Sequence, residues 1–110
     1  MLPRSNRLPA QNIAPLLRLG KRVRVSGIEF VFTMTTATPR FAFVVPVGVN
    51  KKATARNRMK RLLREAVHHL LPEMRHGVDG VFFVRGKIPE TEGEVEKIVK
   101  TIIMKIWSNT

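Results

Sequence analysis

The stretch from Ala53 to Leu71 restricts this chain more than any other, because its pattern is satisfied only by a helix with two unlike faces. At about 100° per residue, Leu62, Ala66, Met59, Leu70, Leu63 and Val67 fall within one arc of about 140°. Arg56, Lys60, Arg64, Asn57 and Arg61 fall within an adjoining arc, and Arg58, Glu65 and His69 lie between the two on the far side. Pro72 closes the helix, since proline disfavours helical geometry in the residue before it. The apolar arc calls for a sheet or a second helix to cover it.

The cationic arc calls for an anion. Like charges at i, i+4, as in Arg56–Lys60–Arg64, repel by a few tenths of a kcal/mol per pair. An ordinary solvated face mixes signs to avoid this, and here only Glu65 supplies the opposite sign. Arginine forks suit bidentate contacts to phosphate. Lys51 and Lys52 add charge beside the helix start, itself a good anion site. The rest of the chain agrees: 20 Lys and Arg against 8 Asp and Glu leave a net charge of +12. Residues 1–75 hold 15 basic and 3 acidic side chains, and residues 76–110 hold 5 of each. A positive field concentrated in one part of a chain implies a polyanionic partner, and nucleic acid is the leading one. An anionic membrane surface would want Trp or Phe on the apolar face of a basic helix. The one Trp, Trp107, lies in the neutral part, so no membrane role is expected. No stretch approaches the roughly 20 apolar residues of a membrane span, and residues 1–8 lack a signal-peptide core. Without cysteine there is neither a disulfide nor a thiolate metal site, which fits a cytoplasmic location.

The remaining pattern predicts one α+β domain over residues 1–110, with residues 1–12 irregular. Ile13, Leu16, Leu17 and Leu19 suggest a short helix with Asn12 as its cap, Pro15 in its first turn and Gly20 as its stop. After the basic stretch Lys21–Arg24, residues 28–34 alternate as a half-buried strand, with Ile28, Phe30, Phe32 and Met34 on one side. Residues 36–39 form a turn, and Arg40–Val45 a second strand, expected to pair with the first as a hairpin. Val81–Val84 is a short buried strand between Gly80 and Gly86. Thr91 and Glu94 have capping-box spacing at the head of a last helix, whose stripe is Val95, Ile98, Val99, Ile102, Ile103 and Ile106.

No catalytic constellation is legible. Asp79 is the only aspartate, and the glutamates of the last helix suit its positive end. His68 and His69 project about 100° apart and cannot both face one metal ion from a regular helix. Ser5, Ser26 and Ser108 have no partner pattern for a nucleophile. Neither catalytic residues nor a protein-borne metal site are expected.

Arg56-Asn57-Arg58-Met59-Lys60-Arg61-Leu62-Leu63-Arg64-Glu65-Ala66 resembles the signature helix of the bacterial ribonuclease P protein subunit: Arg-Asn-Arg, an aliphatic residue, Lys-Arg, two variable positions, then Arg-Glu. Arg7-Leu8 near the start, Gly20 after a short helix, and Arg40-Phe41 leading through Lys51-Lys52-Ala53 into the signature extend the likeness over residues 7–106. The resemblance implies a two-layer αβββαβα sandwich with a small mixed sheet and a left-handed βαβ crossover through the signature helix. It implies an endoribonuclease whose catalytic RNA subunit removes the 5′ leader of precursor tRNA by Mg2+-dependent hydrolysis. The metals would sit mainly on the RNA, with one monomeric protein per RNA. By position, Arg56, Asn57, Arg58, Lys60, Arg61 and Arg64, with Lys51 and Lys52, inherit the RNA contacts. The leader would lie in a cleft between the first helix and the sheet. There the family's two aromatics, four apart, are replaced by Ile13 and Leu17, so Phe30, Phe41 and Phe43 become further cleft candidates. Pro46-Val47-Gly48 stands where the family has Ser-Lys-Lys, and the chain has no tyrosine. The rival reading is a non-enzymatic basic RNA-binding module such as a ribosomal protein, which would show no preference for the catalytic RNA.

Overall fold

Apolar side chains point to both faces of the central strands, so this sheet needs cover on both sides. The computed structural model describes residues 2–108. Its elements are α1 (Ile13–Leu19), β1 (Lys21–Val25), β2 (Ile28–Thr35), β3 (Arg40–Val44), α2 (Ala53–Leu70), β4 (Gly77–Val84) and α3 (Glu92–Ser108). The strands form one mixed sheet in the order β1-β2-β4-β3. On one face Phe30, Phe32, Phe41, Phe82 and Val84 pack against Leu63, Val67 and Leu70 of α2 and Val95, Val99, Ile102 and Ile106 of α3. On the other, Val31, Ala42 and Val81 pack beneath Leu16 of α1 and Leu8 of the preceding segment. Each large side chain buried this way contributes roughly 1.5–3 kcal/mol.

The expected β2–β3 hairpin is not formed. β2 pairs antiparallel with β4 from Ile28↔Val84 to Thr35↔Gly77, and β3 pairs parallel with β4 from Arg40↔Asp79 to Val44↔Phe83. β4 therefore lies between the two strands that the turn connects. Burial explains the order: Val81 and Phe82 are fully buried, one on each face, which only a central strand achieves. The four-residue link 36–39 readily spans the roughly 10 Å of two strand spacings.

The hairpin that does form joins β1 to β2, from Lys21↔Phe32 to Val25↔Ile28. Ser26, first in its two-residue loop, takes φ 54°, the positive value such tight turns require. The basic stretch Lys21–Arg24, to which the residue pattern assigned no element, is thus an edge strand. Lys21, Arg22 and Arg24 on that edge discourage pairing with another chain.

The helices follow their patterns with local differences. Asn12 makes no capping hydrogen bond; it closes a 3-10 turn, Ala10–Asn12, that leads into α1. Gly20 ends α1 by donating its N–H to the Leu16 carbonyl. A Cβ there would stand 2.7 Å from that same oxygen, so only glycine fits. α2 stops at Leu70, and a 3-10 turn, Leu71–Glu73, carries Pro72. At α3 the Thr91 hydroxyl accepts the Glu94 N–H at 3.4 Å, as the spacing predicts.

Candidate nucleic-acid interface

The cationic helix is positioned by its own apolar stripe. Leu63, Ala66, Val67 and Leu70 of α2 are buried against the sheet and α3, while Asn57, Arg58, Arg61 and Arg64 are exposed. Lys51 and Lys52, just before the helix, are exposed as well. Arg56 and Lys60 sit where the cationic arc meets the apolar one, and both are half-buried.

Arg56 has a task inside the protein. Its Nη1 donates to the carbonyls of Asn50 and Lys51, both at 2.9 Å, and so ties the entering loop to the first helical turn. The Asn50 side-chain oxygen accepts the Lys52 N–H at 2.9 Å and tightens the same loop. Periodicity places both Arg56 and Lys60 beside the apolar arc, and only the structure shows that Arg56 turns inward to the loop. Among the described residues no side chain caps the helix start, so its first N–H groups remain directed outward.

The ion pairs Arg40–Asp79 and Lys100–Glu73 lie away from the cations of α2. The cations of α2 form a positive surface. They divide between two flanks. The Arg64 guanidinium stands 5.9 Å from the Phe43 ring centroid, on the β3 side. Arg58 stands on the opposite flank, lining a cavity of about 920 Å³ with Met59, Leu62, Arg85, Lys87 and Ile88.

The second candidate surface lies between α1 and the sheet. Ile13 and Leu17 are half-buried there against the Leu16–Val31–Val81 cluster. Phe30, Phe41 and Phe43 do not join them. Phe30 and Phe41 are 0% and 1% exposed in the core beneath α2 and α3. Phe43, half-buried, packs on that same far side and stacks on Phe82. Strand alternation forces the result, because odd and even residues point to opposite faces.

The aromatic ring on the α1 face is Phe83, which alternates with Phe82 and shares the face of Val81. Sequence reasoning missed it, although two adjacent phenylalanines in a strand buried on both sides must split between its faces. The Arg85 guanidinium lies 4.0 Å from the Phe83 centroid. It also bonds Glu29 at 2.9 Å, as does Arg22, whose other nitrogen reaches the Leu17 carbonyl of α1. Burial would raise the pKa of Glu29, but the hydrogen bonds and charges of Arg85 and Arg22 outweigh it and hold the carboxyl below its ordinary value. One carboxylate shared by two arginines leaves this surface positive as well.

With this geometry in view, comparison with known proteins is decisive: the family model for ribonuclease P matches residues 2–106. The chain belongs to the ribonuclease P protein family. Among the relatives of this ribonuclease P family member, the ribonuclease P protein component of Synechocystis is 35% identical over 86 residues, covering 76% of this chain and 69% of that protein. The component from Microcystis aeruginosa is 32% identical over 91 residues, covering 76% of this chain and 75% of that one. The ribonuclease P protein from Thermotoga maritima superposes with a TM-score of 0.79 at 23% identity, over 90% of this chain and 96% of that one, and so shares the fold. Among the described residues of this ribonuclease P protein, no three His, Asp or Glu side chains come together to hold a metal ion. No helix of the described residues is long and apolar enough to cross a membrane.

Proposed function

We propose that this chain is the protein component of a tRNA-processing ribonuclease P and serves as a positioning device for two RNAs. The exposed cations of α2, with Lys51 and Lys52, bind the backbone of the catalytic RNA subunit. The surface between α1 and the sheet takes the 5′ leader of precursor tRNA, with Ile13, Leu17 and Phe83 as its apolar floor and Arg22 and Arg85 as its charges. The observation that carries this reading is the segregation within α2, where a buried apolar stripe holds Arg58, Arg61 and Arg64 outward and exposed.

The chemistry belongs to the RNA in this reading, with Mg2+ supplying the charge that promotes hydrolysis. Among the described residues no three His, Asp or Glu side chains gather to hold a resident metal. Asp79 is engaged by both nitrogens of the Arg40 fork, at 3.0 and 2.8 Å, and Glu29 by two arginines. The protein's contribution is orientation and charge neutralisation, which lower the Mg2+ concentration at which the RNA docks its substrate.

Reconstitution tests it. The chain alone should leave precursor tRNA intact, whereas the chain with the catalytic RNA should permit leader removal at low Mg2+, where RNA alone is slow. Absence of stimulation, or equal affinity for unrelated RNA of the same length, would reject the assignment in favour of a general RNA-binding module.

A further inference from the structure

The edge of β3, bridged at Phe41 by Arg7, meets α2 in a notch of about 370 Å³ lined by Leu2, Arg7, Phe41, Ala42, Phe43 and Arg64. The volume falls within the range of small-ligand sites. Phe43 stacks on Phe82 with centroids 5.7 Å apart and planes within 8°, so its ring is held at a fixed angle. Arg64 reaches over that ring from α2. Arg7 donates its Nε to the Leu2 carbonyl at 3.0 Å, and among the described residues its two terminal nitrogens make no hydrogen bond. The strand edge adds backbone groups. The Phe41 carbonyl points outward, accepting the Leu8 N–H at 2.8 Å. Alternate residues of a strand direct their polar groups to the same edge, so the N–H and C=O of Phe43 face outward too. Among the described residues they have no backbone partner there.

We propose that this notch is a nucleobase site, in which one unstacked base of the catalytic RNA lies against Phe43 and is read by the adjacent strand edge. The inference rests on the proposed RNA partnership and extends it. A bare phosphate would make no use of the ring, and a peptide strand added to the edge would not call for Arg7 and Arg64. An unpaired RNA base uses all three, since single-stranded bases stack on aromatic side chains and arginine planes while their edges form hydrogen bonds. The source of the base follows from position. Arg64 belongs to the cationic surface of α2, so a backbone following that surface delivers its base to Phe43. The leader surface lies across the sheet, beyond the reach of this ring.

The test measures binding of the full chain to the catalytic RNA across a salt series, with short-wavelength UV crosslinking of the complex mapped by mass spectrometry. Phe43→Leu should weaken binding about tenfold or more, the scale of one base–aromatic stack, and leave the slope of log K against log salt unchanged. Phe43→Tyr keeps the ring and should bind within twofold of the native chain. The Phe43 peptide should crosslink to the catalytic RNA whether or not precursor tRNA is present. Binding by Phe43→Leu within twofold of native would overturn the site, as would a crosslink found only in the leader. Equal losses in Phe43→Leu and Phe43→Tyr, tracking equal losses in melting temperature, would reduce Phe43 to a packing role and also overturn it. Failure of the native chain itself to bind the catalytic RNA is a separate result, which rejects the parent assignment.

Discussion

Single residues carry constraints that are readable only as contacts. Gly80 in β4 stands across from Phe32, and a Cβ there would lie 2.1 Å from the ring of Phe30. That ring is fully buried among Phe32, Phe41 and Phe82 and has nowhere to move. Gly80→Ala should therefore destabilise the fold by about 1–3 kcal/mol or more, seen as a lower urea midpoint. Glu29 makes a pH-dependent contribution. Its folded pKa lies below the ordinary 4.5, so its two arginine contacts stabilise the fold above that value and are lost as the pH falls through the depressed one. Glu29→Gln should lower the melting temperature at neutral pH, and the gap to the native chain should close as the pH falls through the depressed carboxyl pKa. A constant gap between the two across that window would show that the ion pair is not the cause.

At the scale of the element, α2 has two functions that its arcs keep apart. Truncating Leu63, fully buried, should cost about 2–5 kcal/mol as Leu63→Ala. Arg61→Ala, on the exposed side, should leave stability within about 0.5 kcal/mol. It should nonetheless weaken catalytic-RNA binding and reduce the slope of log K against log salt by roughly 0.7–0.9, the share of one phosphate. Binding titrations at three or more salt concentrations decide this; an unchanged slope would mean that Arg61 does not face the RNA. The Arg56 contacts to Asn50 and Lys51 add a reason why the signature helix begins where it does. A guanidinium that pins the loop also aims Lys51 and Lys52 beside the helix start.

At the scale of the whole molecule, a net charge of +12 on 110 residues opposes its own compaction. An anion that binds the folded state and not the unfolded chain relieves that repulsion. Sulfate or phosphate should raise the melting temperature above that in chloride of equal ionic strength, and equal melting in all three salts would rule out specific anion linkage. α1 and α2 cover different sides of one sheet.

The amino-acid sequence by itself determined the helices, the burial side of each and the cationic surface of α2, because helical periodicity and charge segregation are local properties that no neighbour needs to complete. It also placed β2 and β3 and the second half of β4, but assigned no strand to Lys21–Arg24 and began the last strand at Val81, whereas β4 runs from Gly77 with Gly80 inside it. Tertiary structure decided strand order and face. β4, more than thirty residues beyond β3, inserts between β2 and β3 because its apolar run needs burial on both sides, and sequence adjacency carries no record of that. The same pairing sends Phe30, Phe41 and Phe43 away from α1 and turns Phe83 toward it. A period of two fixes which residues share a face, but only the covering helices settle which face lies beneath α1 and which beneath α2 and α3.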